Sequence, residues 1–432
     1  MNIKQLRVQN FRCFEQATFD FSPGFNLFVG INGSGKSSLL KAVAASLATP
    51  LNGLGKKMVW LHDQEVNARL ALVELKGRVR YERCYPVRLE VTGTLSGEVR
   101  SWWMEQSGPG NNQNKWEHTA FAALTEISAS ISQGGAGALP IVAFYTAERQ
   151  WTLVGVGADT AVRQQDSRSD GYASWENAAL DMAGLETWVV AKSLERLEAV
   201  SDSGPVLSGL PLDELDLVNQ AVVEAVPGAK GLRYDIKYRR LVLDWENAES
   251  TPFDTLSDGQ RGVVALVADM ARRMCLLNPQ LGDAVLSETP GIVMIDELDM
   301  HLHPAWQRRL PGVLKKTFPR VQFIAASHSP QIIGELSASE VWLMRDAKVL
   351  GNPERALGLS SGEVLEELME GKARNVDVAS QLDTIRVQLD EDDIAGAQAA
   401  LSCLRQTVGD IPQVLELQAS IDSLQWLEDG DA

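Results

Sequence analysis

The chain has 432 residues, 45% of them hydrophobic, and a formal net charge of −17. That apolar content excludes a disordered chain, and no apolar run reaches the roughly 18 residues of a membrane-spanning helix. The four cysteines, Cys13, Cys84, Cys275 and Cys403, are scattered without a Cys-x-x-Cys pair, and the N-terminus lacks the apolar core of a signal peptide. Both features point to a reducing, cytoplasmic setting and away from a zinc ribbon or a disulfide frame.

The first elements in chain order are two strands, 3–8 and 18–21, and then a buried strand at 25–29. Residues 30–38 follow as Gly-Ile-Asn-Gly-Ser-Gly-Lys-Ser-Ser and lead into a helical run over 39–47. Strand, glycine-rich turn and helix together form a phosphate-binding loop. Backbone N–H groups of Gly30, Asn32, Gly33, Ser34 and Gly35, with Ser38, close around phosphates at a helix N-terminus. Lys36 is expected to reach the β- and γ-phosphates and the Ser37 hydroxyl to sit on Mg²⁺. The expected ligand is a nucleoside triphosphate.

Strand-like segments at 69–76, 87–94 and 98–104, a Gly/Asn-rich loop at 107–114 and a helix at 119–131 come next. Trp102, Trp103 and Trp116 flank that loop, where packing against strands outweighs stacking on bases. An apolar strand at 139–145 precedes a Gly- and Arg-containing connection over 152–172 and a largely helical stretch, 175–226, interrupted at 201–210. Short strands at 234–238 and 240–244 lead to a long helix over 259–277, a strand at 291–295, a helix over 305–317 and a strand at 321–325. This alternation is the mark of a parallel α/β sheet.

The rest reads as helices at 365–369, 378–389, 394–408 and 412–426, with Val378, Leu382, Ile385 and Leu389 on one stripe. Residues 346–432 hold 18 acidic and 6 basic side chains, a balance of −12, so most of the net charge lies in this tail. The acidic cluster 390–393 reads as a solvated turn with an N-cap.

Residues 291–304 supply a second half-site, an apolar strand ending in Asp296 and Glu297. Asp296 at the strand end suits a Mg²⁺ ligand held through water, and Glu297 suits a group that polarises the attacking water. His301 and His303 lie near Asp296, Glu297 and Asp299, but a His-x-His pair without a third spaced ligand does not make a zinc site.

Leu256-Ser-Asp-Gly-Gln-Arg-Gly262, opening a long helix, resembles the signature motif of ABC-type ATPases. Ala325-Ala-Ser-His-Ser-Pro330 resembles their switch-histidine loop, which makes His328 the expected γ-phosphate sensor. That resemblance implies an α/β fold of the ABC P-loop head type. It has a first lobe over 1–174, a helical insertion over 175–230, a second lobe over 231–345 and a small all-α tail over 346–432. It implies ATP and Mg²⁺ as ligands, with Lys36, Glu297 and His328 catalytic. It also implies a homodimer, or a higher homo-oligomer, in which Ser257, Gly259 and Gln260 of one chain complete the nucleotide site of the other. The gap of about 220 residues from position 37 to position 256 is too long for a transporter motor.

The opening Leu6-Arg-Val-Gln-Asn-Phe-Arg-Cys-Phe14 is similar to the start of RecF, SMC and Rad50 ATPases, in which the arginine matching Arg12 approaches the nucleotide. Tyr145-Thr-Ala-Glu-Arg149, Gly171-Tyr172, the Asp296–Gln307 run and the acidic helical tail resemble the PtuA-type ATPases of Septu systems and the retron-associated ATPases. Such ATPases act in anti-phage defence beside an HNH nuclease, so the resemblance implies a nuclease partner, contact with DNA or RNA through that complex, and no cutting chemistry in this chain. The alternatives are a RecF-like repair ATPase and an ATP-sensing scaffold. An OLD-type nuclease would need carboxylates on strand ends after position 345, where the chain is helical. The glutamine that couples nucleotide state to the lobe interface in the ABC family has no clear counterpart. Gln150 is the nearest candidate and Arg149 the alternative.

Overall fold

The computed structural model describes residues 1–55, 67–109, 114–117, 119–163, 167–203, 213–369, 371 and 375–430. Parts of the expected loop at 107–114, of the connection at 152–172 and of the interruption at 201–210 lie outside these residues. Two compact units are present, Met1–Ser360 and Ser361–Ala432.

The first unit is built around a six-stranded sheet with the spatial order 348–351, 341–345, 25–29, 321–327, 291–295, 141–145. All neighbours run parallel except the terminal pair Val341–Arg345 and Lys348–Gly351. Strands Phe25–Val29, Ile141–Tyr145, Gly291–Ile295 and Val321–Ser327 are buried at every residue. Helices cover both faces of such a sheet, which is why these strands read as continuous apolar runs without alternation.

A second, antiparallel sheet places Phe14–Asp20, Asn2–Phe11, Val87–Leu95, Glu98–Gln106 and Asn114–Trp116 side by side. One buried glutamine joins the two sheets. Gln322 accepts from the Ile3 amide at 2.8 Å and donates to the carbonyls of Ile3 and Ser22, each at 2.8 Å. Trp102 is buried and donates from its indole to the Ser46 carbonyl on the phosphate-loop helix at 2.8 Å. Trp103 carries the Arg88 guanidinium over its ring at 4.6 Å. Both tryptophans therefore serve packing.

Several expected elements shift. The first strand of the 229–252 meander is Ala229–Asp235, not 234–238, and Arg239 turns the chain with φ 51° before Arg240–Trp245. The segment 69–76 is half of a hairpin, Leu70–Leu75 with Arg78–Arg83. Residues 348–351 pair in the central sheet, so the head extends through Ser360 and the separate C-terminal unit begins at Ser361 rather than at 346. The expected helical insertion at 175–230 stands within the head unit as a 3-10 segment, Trp175–Asp181, and the helices Met182–Ser203 and Glu214–Ala225.

In the C-terminal unit, helices Val376–Asp390, Ile394–Val408 and Pro412–Gly430 share a core of Leu382, Ile385, Leu401, Leu404, Val414 and Ile421, among others. Val378 and Leu389 flank it, completing the expected stripe. Asp393 caps its helix by accepting from the Gly396 amide at 2.9 Å, as the acidic turn predicts.

Candidate nucleotide site

Four adjacent parallel strands end at the same edge of the sheet, the edge where ligands bind in open α/β folds. Phe25–Val29 delivers the phosphate loop, Val321–Ser327 delivers His328, Gly291–Ile295 delivers Asp296 and Glu297, and Ile141–Tyr145 delivers Thr146 to Arg149.

The phosphate loop needs its glycines for stated reasons. Gly35 has φ 104°, and a Cβ there would meet the Phe14 ring at 3.0 Å and the Cys13 sulfur at 3.1 Å. Lys36 opens the helix Lys36–Asn52 and folds over the loop, its ammonium donating to the carbonyls of Gly30 at 2.9 Å and Ile31 at 3.1 Å. Ser34 is buried beneath it, whereas Asn32, Gly33 and Ser37 are exposed at the mouth. Arg12 occupies the turn of the first hairpin with φ 53°, and from there its Nε donates to Ser38 Oγ at 3.3 Å. A two-residue hairpin thus brings Arg12 to the loop, as the N-terminal motif implies.

Glu297 has φ 51°, a left-handed conformation costing a non-glycine residue about 1–2 kcal/mol. Its carboxylate lies 3.9 Å from His328 Nε2 and is 38% exposed, whereas Asp296 is 4% exposed. Asp299 ties the switch loop down, accepting from Ser327 Oγ at 2.5 Å and from the His328 amide at 3.3 Å. Gln307 adds a second brace, donating to the Leu302 carbonyl at 2.9 Å and accepting from Ser329 Oγ at 2.7 Å. The motif pattern flagged neither Asp299 nor Gln307 for this duty.

Burial holds the Lys36 ammonium below its ordinary pKa, against the upward pull of Glu297, Asp296 and Asp299. Burial and the Lys36 charge also lower the His328 imidazole, again against those three carboxylates, which keeps His328 neutral at pH 7. Three carboxylates thus face Lys36 and Arg149 as their cationic neighbours. This surplus of hard oxygen donors beside the Ser37 hydroxyl fits Mg²⁺. Among the described residues no His/Cys/Asp/Glu group forms a metal cage by itself.

Arg149, not Gln150, occupies the strand-end position. Its guanidinium donates to the main-chain carbonyl of Asp296, to that of Glu297 at 2.6 Å and to that of Thr146 at 3.1 Å. Burial lowers its pKa to about 10 despite the nearby carboxylates. Gln150 is exposed.

Ser257 caps the helix Asp258–Leu277 in a reciprocal capping box with Gln260, and Ser257 and Asp258 are exposed. A Cβ at Gly259 would stand 2.6 Å from the His301 carbonyl oxygen, so the signature turn is seated directly on the segment after Glu297. Ser257, Gly259 and Gln260 line an open cleft with His303 and Trp306. Among the described residues no hydrogen bond or ion pair joins them to Lys36, Glu297 or His328 of the same chain. His303 caps its own helix, Nδ1 accepting from the Ala305 amide at 3.3 Å.

A buried ion cluster ties the signature helix to the central sheet. Asp269 accepts from Arg273 Nε at 2.7 Å, from Arg272 at 2.8 Å and from the Tyr145 hydroxyl at 2.7 Å. Arg272 also pairs with Asp181, and Arg273 donates to the carbonyls of Gly171, Ala173 and Ala178. Tyr172, of the Gly171-Tyr172 pair, donates to the Pro140 carbonyl at 2.7 Å. Tyr145 begins the strand end that carries Arg149, so the helix and the carboxylate turn share one rigid support.

Fold and site together have the arrangement of a P-loop nucleotide-binding head. A family model described as "AAA domain" matches residues 5–178, and one described as "AAA domain, putative AbiEii toxin, Type IV TA system" matches residues 219–334. The chain is 36% identical to the "Retron Ec83 probable ATPase" of Escherichia coli over 156 residues, 36% of this chain and 28% of that one. It is 21% identical to "Septu protein PtuA" of Bacillus thuringiensis over 386 residues, 85% of this chain and 84% of that one. The match thus spans less than a third of the length of the retron relative. Among solved structures it is similar to an SMC head bound to the C-terminal winged-helix domain of ScpA, with 14% identity and a TM-score of 0.48 over 82% of this chain and 99% of that one. No described helix is long and apolar enough to cross a membrane.

Proposed function

We propose that this chain binds ATP with Mg²⁺ and hydrolyses it between two heads. The resulting change in quaternary shape would regulate an HNH-type nuclease in an anti-phage defence complex acting on DNA or RNA. The carrying observation is that Lys36, Asp296, Glu297 and His328, from three separate strand ends, meet at one edge of the sheet. In this reading the phosphate loop and Lys36 bind the phosphates, and Ser37 and Asp296 hold Mg²⁺. Held by Ser37 and Asp296, the cation would supply positive charge to neutralise the phosphates. Glu297 accepts a proton from the attacking water, and neutral His328 senses the γ-phosphate.

The exposed, capped start of the signature helix supports a two-chain site. Its N–H groups and helix dipole suit an anion, yet among the described residues no hydrogen bond or ion pair joins it to the phosphate loop of its own chain. The acidic C-terminal unit would dock a basic partner such as the nuclease subunit, since one-signed charge steers association. The likeness to a protein named as a retron probable ATPase and to one named Septu protein PtuA supports this reading.

The direct test is phosphate release by the purified chain with ATP and Mg²⁺. Wild type is expected to turn over, at rates that can be slow. Lys36→Ala is expected to lose both turnover and binding of a fluorescent ATP analogue, because the loop's only ammonium is gone. Equal phosphate release by the two proteins would contradict the reading.

A further inference from the structure

We infer that Arg149 is a positioning residue for hydrolysis: it clamps the Asp296–Glu297 main chain and thereby aims the Glu297 carboxylate, without itself touching the nucleotide. The inference rests on the ATPase reading above and names a residue for which that reading has no role. The observation is geometric. Both terminal nitrogens of Arg149 are engaged by consecutive carbonyl oxygens, those of Asp296 and Glu297, and one of them also reaches the Thr146 carbonyl. Those carbonyls bracket the residue whose φ is 51°. A left-handed glutamate persists only where its surroundings impose the conformation, and a planar guanidinium bonded to both flanking carbonyls is suited to impose it.

The clamp is anchored on the far side as well. Arg149 follows the strand Ile141–Tyr145, whose last residue accepts from the Asp296 amide through its carbonyl at 2.9 Å and donates through its hydroxyl to Asp269 of the signature helix. Arg149 also lines a cleft of about 300 Å³ with Trp151, Arg261, Met300 and His301. A glutamine side chain carries both of its N–H donors on one nitrogen and lacks the charge and planar two-nitrogen fork of a guanidinium.

The experiment compares wild type, Arg149→Ala and Arg149→Lys for kcat, KM and equilibrium binding of a fluorescent ATP analogue, with and without millimolar guanidinium ion. Arg149→Ala is expected to lower kcat on the order of 100-fold, the cost of misplacing a reacting group by about 1 Å. Analogue affinity is expected to change less than about threefold, because no contact to nucleotide is lost. Guanidinium ion entering the vacated cleft is expected to restore part of the rate. A lysine ammonium keeps the charge but offers one nitrogen in place of the planar fork, so Arg149→Lys should fall between wild type and Arg149→Ala. It also keeps the test open if the alanine variant fails to fold. Unchanged kcat in either variant would overturn the inference, as would a loss of analogue binding paralleling the loss of rate. Such results beside an active wild type and an inactive Lys36→Ala would leave the ATPase reading standing. An inactive wild type would overturn both.

Discussion

Glu297→Gln is expected to lower phosphate release by about 100- to 1,000-fold, within the usual range for losing a positioned general base. The amide has the shape of the carboxylate and lies 38% exposed, so the fold has little reason to change. Arg149 bonds the main chain at this position rather than the side chain, so the clamp persists in the variant. One negative charge facing Lys36 disappears, which removes an upward pull on the lysine pKa but leaves Asp296 and Asp299 in place. ATP binding should therefore be retained or strengthened. Binding without hydrolysis should accumulate the closed, ATP-bound dimer, visible as a nucleotide-dependent shift in size-exclusion chromatography with light scattering. Hydrolysis at the wild-type rate would remove Glu297 from the mechanism.

Asp269→Ala is expected to destabilise the head by about 3–5 kcal/mol, the cost of stripping one partner from a buried ion cluster. Asp269 is 2% exposed at its side chain, and its partners Arg272 and Arg273 are 3% and 0% exposed. Without it two buried guanidinium groups lose their shared carboxylate, and Asp181 remains to serve both. The Tyr145 hydroxyl loses its acceptor too, and its strand carries the clamp on Glu297. A fall in Tm on the order of 10 °C would follow, read by scanning calorimetry at fixed protein concentration without nucleotide. Hydrolysis in the folded fraction should also drop, since the sheet edge loses a brace. An unaltered transition would show that the cluster carries no net stability.

Much of this architecture is visible in the amino-acid order because the central strands are buried on both faces. Such strands must be continuous apolar runs, and the polar residues that interrupt them fall at the edge where chemistry occurs. Lys36, Asp296, Glu297 and His328 are identifiable for that reason. Errors cluster where exposure removes the pattern. Tyr234, Ile236 and Tyr238 alternate like a strand, but Ile236 and Tyr238 are 54% and 66% exposed around a turn. Arg78–Arg83 alternates only Val79 and Tyr81 with charged residues, and both are exposed, so no buried face marks it as a strand. The polar 346–360 stretch resembles a linker, although its short strand adds to the edge of the sheet.

Arg149 is legible in the sequence only as the alternative to Gln150, because its bonds go to main-chain carbonyls, a property that no side-chain pattern encodes. One missed signal was available: Asp269 followed by Arg272 and Arg273, at i+3 and i+4 within an apolar helix, announces a buried ion cluster.

The central claim, that each nucleotide lies between the phosphate loop of one chain and the signature turn of another, is tested most directly by mixing two inactive variants. Lys36→Ala removes the first half and Ser257→Arg blocks the second. If two chains share each site, a heterodimer of the variants rebuilds one intact site from its two wild-type halves. A one-to-one mixture should then recover roughly a quarter of the wild-type phosphate release by statistical pairing, where each variant alone has almost none. A mixture as inactive as its components, with heterodimers demonstrated by differently tagged chains, would contradict the account.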